Sequence, residues 1–515
     1  MKLISCLLQG GERSGQMPFA VTPHDIWTRA DAAASVARFV SRLREAGVKP
    51  GDRALAILQH DHHAICLIAA ASALGLKIVM PYNLQEGALG EWLGIIATMN
   101  LEHVVCLDQS AARRLFDAGV FPLNLGDDIL KKPLFSEPVV ITAPDAISGF
   151  LTLFSSGTTG QPKAISLAED MVARKILNVC DHLQFDANTR AFFSGLINNT
   201  TGFIFAFGAL AHFAVLCVPE TRNIAQWPDL VSTFQATHIM LRPVALDQFV
   251  AAALASRADL SSLQMLAYGA AAMPAETLRL AREILSCDFT LGYGLSETFG
   301  PFTFLDEAAH CAGLKLGEQY RVGVADKDMK VWIDHPDADG IGEVVVDGPL
   351  RMEGYIDPAT GDVVPLQGAL RTGDLGRIEA GGHLILKGRL SSSLLTPSGH
   401  RIYPEEIEAL LRSIEGVDEA VLVGLPTGDR LSLRPVACIH GELTRQSADA
   451  VRQSLRLKLD NALGREKWPD YILASATPFP KNANEKILKT EVARLASTTE
   501  LIALHTSRVE EMTLP

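Results

Sequence analysis

At 515 residues, with 48% apolar and 20% charged side chains, the chain is long enough for one large domain and a smaller one, and too apolar for disorder. A net charge of −13 without a basic block argues against nucleic acid as a partner. Eight cysteines (6, 66, 106, 180, 217, 287, 311 and 438) form no CxxC pair, which predicts reduced thiols in a cytoplasmic protein rather than a disulfide frame or a zinc site.

The first ten residues are too short an apolar run for a secretion signal. Apolar residues then recur at helical spacing over 31–46, and Gly47 stops that helix. A short strand is predicted over 53–58. His60-Asp61-His62-His63 follows, and four such side chains in a row point in different directions and cannot all reach one metal ion. Asp61 is expected to cap a helix beginning near His62, with the histidines exposed in its first turn. Residues 64–74 continue this helix and 77–81 form the next strand. The alternation recurs to about Val140, as expected for parallel sheets covered by helices.

Residues 153–163 read Leu-Phe-Ser-Ser-Gly-Thr-Thr-Gly-Gln-Pro-Lys, directly after the apolar run 149–154. That run reads as a buried strand entering a turn. Gly157 and Gly160 let backbone N–H groups approach an anion. The hydroxyls of Ser155, Ser156, Thr158 and Thr159 add donors, and Lys163 supplies a mobile positive charge. The string grips phosphate without the Walker spacing, because Lys163 follows Gln161 and Pro162.

A helix is expected over 168–183, then a strand over 191–198 ending in the polar run Asn198-Asn199-Thr200-Thr201-Gly202. The stretch 202–218 contains His212, falls short of the ~20 residues a membrane span needs, and reads as a buried helix running into a buried strand. Further strands are predicted over 237–241, closed by Arg242-Pro243, and over 263–268. The small-residue turn Gly269-Ala270-Ala271 after the latter lets a flat ring approach the backbone. A strand over 289–293 leads into Gly294-Leu295-Ser296-Glu297-Thr298. Residues 322–389 read as a β-rich subdomain, with strands over 330–333, 342–346 and 383–386. Beyond Arg389 the pattern restarts: helix 404–413, strands 419–424 and 435–440, helix 447–459. A domain boundary is placed at 390–393, giving domains 1–389 and 390–515.

The string 153–163 resembles the signature loop of the adenylate-forming ligase superfamily, which includes acyl-CoA synthetases, peptide-synthetase adenylation domains and firefly luciferase. Other motifs follow collinearly, and the resemblance spans roughly residues 25 to 495. Tyr293 to Thr298 is similar to the family's Tyr-Gly-x-Thr/Ser-Glu motif. Residues 342–349 and Met352-Glu353-Gly354-Tyr355 resemble the next block, which is largely structural. Arg371-Thr372-Gly373-Asp374-Leu375-Gly376 matches closely, and Arg389 follows Asp374 by 15 residues. Residues 398–408 and 480–489 resemble the two blocks of the family's small domain.

The resemblance implies an α/β fold: a large N-terminal domain of αβαβα sheets plus a β-rich subdomain, with a small mobile α+β C-terminal domain. It implies ATP and Mg²⁺ as cofactors. Tyr293 would stack on adenine beside Gly294 and the Gly269–Ala270–Ala271 turn. Glu297 would hold Mg²⁺, and Thr298 would offer a hydroxyl to the α-phosphate. Asp374 would accept from both ribose hydroxyls, with Arg389 close by. By position Lys486 takes the catalytic role, with Lys489 as runner-up. Acyl adenylation drives a carboxylate onto an α-phosphate that is already negative, and a bridging lysine plus Mg²⁺ supplies the positioning and the charge. A mobile small domain lets that lysine leave once acyl-AMP has formed.

Three departures bear on the second step. Ser391 stands where the family hinge has Asp or Lys, one extra residue falls near Thr396-Pro397, and Glu485 replaces a glycine. The first two lie where the family builds its second-step surface; they leave adenylation intact but weigh against CoA, so two acceptors are kept: CoA thiol, or the amine of an amino acid giving an amide, as in coronafacate-ligase-like enzymes. The acyl pocket is expected from Asn199, Thr200, Gly202 and Phe203, with Phe205 and Phe207 nearby and Arg242 meeting a polar group. No Asp stands where peptide-synthetase domains pair the substrate amine, so a hydrophobic acid other than an α-amino acid is expected. No membrane partner is expected.

Overall fold

The computed structural model describes residues 15–84, 86–126, 146–155, 163–271, 273–313, 320–395, 401–426, 433–460, 463–481 and 487–504. The chain divides into two units. Met1–Trp332, Val345–Leu370 and Glu379–Leu384 form the first; Ile333–Val344, Arg371–Ile378 and Ile385–Pro515 form the second.

Two sheets organise the first unit. One has nine strands in the order Val324–Ala325, Gly300–Leu305, Asp288–Leu295, Met265–Gly269, His238–Leu241, Arg190–Phe192, Val215–Cys217, Pro18–Val21 and Ile26–Thr28. From Asp288–Leu295 to Pro18–Val21 neighbours are parallel, so their C-terminal ends share one edge. The other has eight strands in the order Val363–Pro365, Gly354–Ile356, Lys163–Leu167, Leu151–Ser155, Lys77–Val79, Arg53–Ile57, His103–Cys106 and Leu123–Asn124. It is parallel from Leu151–Ser155 onward and antiparallel on the side of Lys163–Leu167. In open sheets of this kind ligands settle outside the carboxyl ends of the strands.

Helices cover these sheets, and two of them explain the apolar composition. Every residue of His62–Leu74 is buried, and Thr200–Ala211 is buried from Gly202 to Leu210. A helix apolar on all sides belongs inside a core, and one apolar cluster joins both helices to strands of both sheets. Truncating a fully buried ring there, such as Phe207, to alanine costs ~3–5 kcal/mol.

That inner position overturns one expectation. Asp61 does cap the helix, accepting from the N–H groups of His63 and Ala64 at 2.9 and 3.1 Å. The histidines, however, are not in solvent: His62 and His63 are 6% and 5% exposed. Their first turn lies against Trp27, whose ring is 4.4 Å from that of His62.

The second unit carries a four-stranded sheet, Glu419–Pro426, Leu433–His440, Tyr471–Ser475 and Ile502–Ala503. Helices Pro404–Arg412 and Ala448–Asp460 share one apolar cluster with it, and Lys489–Thr498 shares another. The β-rich stretch 322–389 is divided along the chain between the units, Arg389 falling in the second. A turn follows, with the N–H groups of Ser392 and Ser393 donating to Arg389 O. Among the described residues, no helix is long and apolar enough to cross a membrane.

Candidate active site

The phosphate-gripping string lies between two antiparallel strands, Leu151–Ser155 and Lys163–Leu167, with Ser155 directly opposite Lys163. It therefore joins a hairpin, whereas a P-loop leads into a helix. Ser156, Gly157, Thr158, Thr159 and Gly160 lie outside the described residues. Lys163 is exposed at the hairpin end, its Nζ 5.1 Å from the centroid of the Tyr355 ring.

The turns expected to hold a nucleotide leave the C-terminal ends of two neighbouring parallel strands. Gly269 ends Met265–Gly269, and a Cβ there would lie 2.2 Å from Gly292 O, so the glycine is required by strand contact. Ala270 has φ +65°, a left-handed conformation that costs an alanine ~1 kcal/mol or more, and Ala270 and Ala271 are both exposed. Tyr293 is half-buried with its ring edge-on to Phe302 at 4.9 Å. The ladder to Gly300–Leu305 shifts register between Tyr293 and Gly294. A Cβ on Gly294 would come within 2.0 Å of Gly300 O and 2.5 Å of Pro301 Cα. These are backbone atoms, so Gly294→Ala is expected to part the strands. The expected outcome is ~1–3 kcal/mol of lost stability together with weaker ATP binding, checked by thermal unfolding and by titration calorimetry.

The following 3₁₀ turn, Ser296–Thr298, carries the carboxylate. Glu297 Oε1 accepts from the Tyr355 hydroxyl at 2.9 Å, and its backbone O accepts from Met352 N at 2.7 Å. Glu297 is half-exposed and makes no ion pair with a lysine or arginine among the described residues. One oxygen is thus held, and the carboxylate still reaches solvent. This suits a hard cation such as Mg²⁺, which is held by one or two carboxylates together with substrate phosphates. No group of three or more acidic, His or Cys side chains able to hold a metal alone occurs among the described residues, in keeping with that mode. Thr298 has another task than the one expected of it. It is fully buried, donates to Gly300 O at 2.7 Å and accepts from Leu295 N at 3.1 Å, so its hydroxyl shapes the turn.

The residues expected to line the acid pocket separate into two groups. Asn199 is exposed and caps helix Thr200–Ala211, accepting from Gly202 N at 3.0 Å. Thr200 is half-buried. Gly202 and Phe203 are core residues: a Cβ on Gly202 would meet Leu196 O at 2.1 Å, and Phe203 stacks on Phe207 at 4.6 Å and meets Phe299 edge-on at 5.4 Å. That last contact sets the start of this helix against the segment just after Glu297 and Thr298. Arg242 is exposed at the end of strand His238–Leu241 and has no carboxylate partner among the described residues. Arg222 is a second arginine near it, and partial burial of its guanidinium and the charge of Arg242 both hold its pKa below the usual range.

In the second unit Asp374 and Arg389 meet. Arg389 Nε donates to Asp374 Oδ1 at 2.8 Å and its Nη1 to Thr372 O at 3.1 Å, with Asp374 only 7% exposed. Of the C-terminal lysines, Lys481 pairs with Glu419 and Lys489 with Glu408, each at 2.7 Å. Lys486 lies outside the described residues, between Lys481 and Ile487, which bridge one another.

The sequence reading missed the roles of Tyr355 and Met352, which it assigned to a structural block. The signal that finds them is a cross-strand neighbour: Tyr355 pairs opposite Ile165, two residues from Lys163.

The model of the family described as AMP-binding enzyme matches residues 9–356. The chain is 27% identical over 505 residues to feruloyl-CoA synthase of Amycolatopsis sp, covering 91% of this chain and 93% of that protein. It is 29% identical over 361 residues to indoleacetate–CoA ligase of Aromatoleum aromaticum, covering 67% of each. O-succinylbenzoate coenzyme A synthetase of Bacillus subtilis, solved in complex with ATP and magnesium ion, superposes with a TM-score of 0.79 at 20% identity, covering 94% of this chain and 98% of that one. The chain belongs to the AMP-binding enzyme family and is an AMP-forming acid ligase of the adenylate-forming superfamily.

Proposed function

We propose that the enzyme activates a hydrophobic carboxylic acid other than an α-amino acid as acyl-AMP, releasing pyrophosphate, and passes the acyl group to the thiol of CoA. The observation that carries this reading is the half-exposed Glu297 carboxylate held by Tyr355, whose ring also meets Lys163. Glu297 stands two residues before Phe299, which packs on Phe203 of the apolar helix. Relatives named for ferulate and indoleacetate support an aromatic acid. Arg242 and Arg222, without carboxylate partners among the described residues, suit a polar group at the far end of that acid or on the acceptor.

Within this reading Lys163 and the loop before it hold the phosphates, and Tyr293 with the Gly269–Ala271 turn takes the adenine. Asp374, steadied by Arg389, accepts the ribose hydroxyls, and Lys486 draws the acid's carboxylate onto the α-phosphate. Bound Mg²⁺ supplies charge neutralisation on the phosphates, with Glu297 as its protein ligand. The functional boundary lies at Arg389–Leu390, and residues 390–515 act as a separate small lobe.

The test is an acid-dependent ATP–pyrophosphate exchange screen, followed by competition between CoA and amino acids as acceptors. Exchange with aromatic acids and thioester formation is the expected result. Ser391 and the extra residue near Thr396 favour the amine as second acceptor, and thioester without amide overturns that alternative. An absence of exchange across a broad acid panel overturns the first step itself.

A further inference from the structure

Glu297 is gripped at both ends by one short segment, residues 352–355, which leads into strand Gly354–Ile356. Met352 N donates to its backbone oxygen at 2.7 Å and Tyr355 Oη to its Oε1 at 2.9 Å. The segment is itself anchored, just before the strand, by Glu353, whose carboxylate accepts from Ser148 Oγ at 2.6 Å, Gly149 N at 2.7 Å and Ser166 Oγ at 2.9 Å. Its pairing with Lys163–Leu167 sets Tyr355 opposite Ile165, and the Lys163 ammonium stands 5.1 Å from the ring centroid. Such a position over an aromatic face attracts a cation. Lys163 and Glu297 make no ion pair with each other.

We propose that Tyr355 is a positioning residue for Glu297, its hydroxyl fixing the carboxylate in one rotamer while its ring seats Lys163 and keeps the two opposite charges from pairing. This rests on the reading that Glu297 is the metal ligand. A glutamate on a 3₁₀ turn has three rotatable bonds, and fixing them beforehand removes an ordering cost from metal binding. The arrangement leaves the lysine for phosphate and the rest of the carboxylate for the cation. A tyrosine that serves only as strand filler would not require its hydroxyl.

The test compares Tyr355→Phe, Tyr355→Ala and Glu297→Gln by Mn²⁺ binding to the enzyme with a non-hydrolysable ATP analogue, read by electron paramagnetic resonance without turnover. Tyr355→Phe is expected to weaken Mn²⁺ about tenfold, the size of a hydrogen bond to a charged group, and to leave metal-free binding of the analogue unchanged. In pyrophosphate exchange the Mg²⁺ concentration for half-maximal rate rises by a similar factor, more than kcat falls. Tyr355→Ala is expected to weaken metal-free analogue binding as well, through Lys163. The double variant Tyr355→Phe with Glu297→Gln is expected to bind Mn²⁺ no worse than Glu297→Gln alone, and this comparison holds even if Tyr355→Phe lowers Tm. Mn²⁺ binding weakened by Glu297→Gln but untouched by Tyr355→Phe, or additive losses in the double variant, overturns the positioning role. Unchanged Mn²⁺ binding in Glu297→Gln overturns the metal reading beneath it.

Discussion

Lys486→Ala is expected to lower the rate of acyl-AMP formation by about 10²–10³, the usual effect of removing one group that stabilises developing charge in a transition state. The reaction pushes a carboxylate against an α-phosphate, and without a bridging cation both anions must approach unshielded. The neighbouring lysines make the prediction specific. Lys489 is bound to Glu408, a carboxylate only 8% exposed that also accepts from Leu422 N at 2.9 Å. Lys489→Ala removes the charge partner of a buried group, so it is expected to cost ~1–3 kcal/mol in stability and little in rate per folded molecule. Lys481 is tied to Glu419 in the same way. Single-turnover formation of acyl-AMP, measured beside thermal unfolding, separates the cases. Adenylate forming at the wild-type rate in Lys486→Ala would overturn the assignment, and a rate loss confined to Lys489→Ala would move it there.

Much of this architecture was legible in the sequence because it rests on local pattern. The apolar run before Ser155 is a strand, the Gly/Ser/Thr string does leave it, and 202–218 is a buried helix followed by a buried strand, as periodicity and length required. Asp61 was readable as a cap because capping is a contact between residues two and three apart. The misreadings concern which face an element turns inward. The polar run His60–His63 hides what the apolar helix after it implies, that the helix is covered on all sides from its first turn. Thr298 reads as an available hydroxyl until Gly300 O is seen to take its proton. Phe203 sits in a polar-to-apolar junction that reads equally as pocket wall or core, and Phe299, which packs against it, is 96 positions away. Tyr355 belongs to the same class. Its partners Glu297 and Lys163 are distant in sequence, and only strand pairing brings all three together.

Acid is expected to destabilise the first unit steeply below neutral pH, because its inner layer holds neutral histidines. His62 is pushed down to about 3 by burial and then by His63, and neither of its ring nitrogens has a hydrogen-bond partner. His60 is pushed down to about 3 by burial and the Arg222 charge, against the opposing hydrogen bond to Phe193 O. Burial also lowers His63, with Asp61 pulling the other way. An unfolded histidine titrates near 6.5. Between that value and about 3 the unfolded chain therefore binds more protons than the folded one, and stability falls as pH falls. The stability is complete above pH 6.5 and is lost downward at ~1.4 kcal/mol per pH unit for His60 and for His62. Asp61, raised by burial, opposes this from its raised folded value down to that of an unfolded aspartate, because over that range the folded chain binds the extra proton. For His62 alone the loss between pH 6.5 and 5 comes to ~2 kcal/mol. His62→Phe keeps a ring against Trp27 and His63 and forfeits no hydrogen bond, so it is expected to match the wild type at pH 7.5 and to unfold at a higher temperature at pH 5. Thermal unfolding at pH 7.5, 6.5 and 5 checks both. A Tm for the wild type that is flat across that range, or a slope that His62→Phe leaves unchanged, would show that the ring of His62 finds protons or partners in the folded protein that its burial denies it.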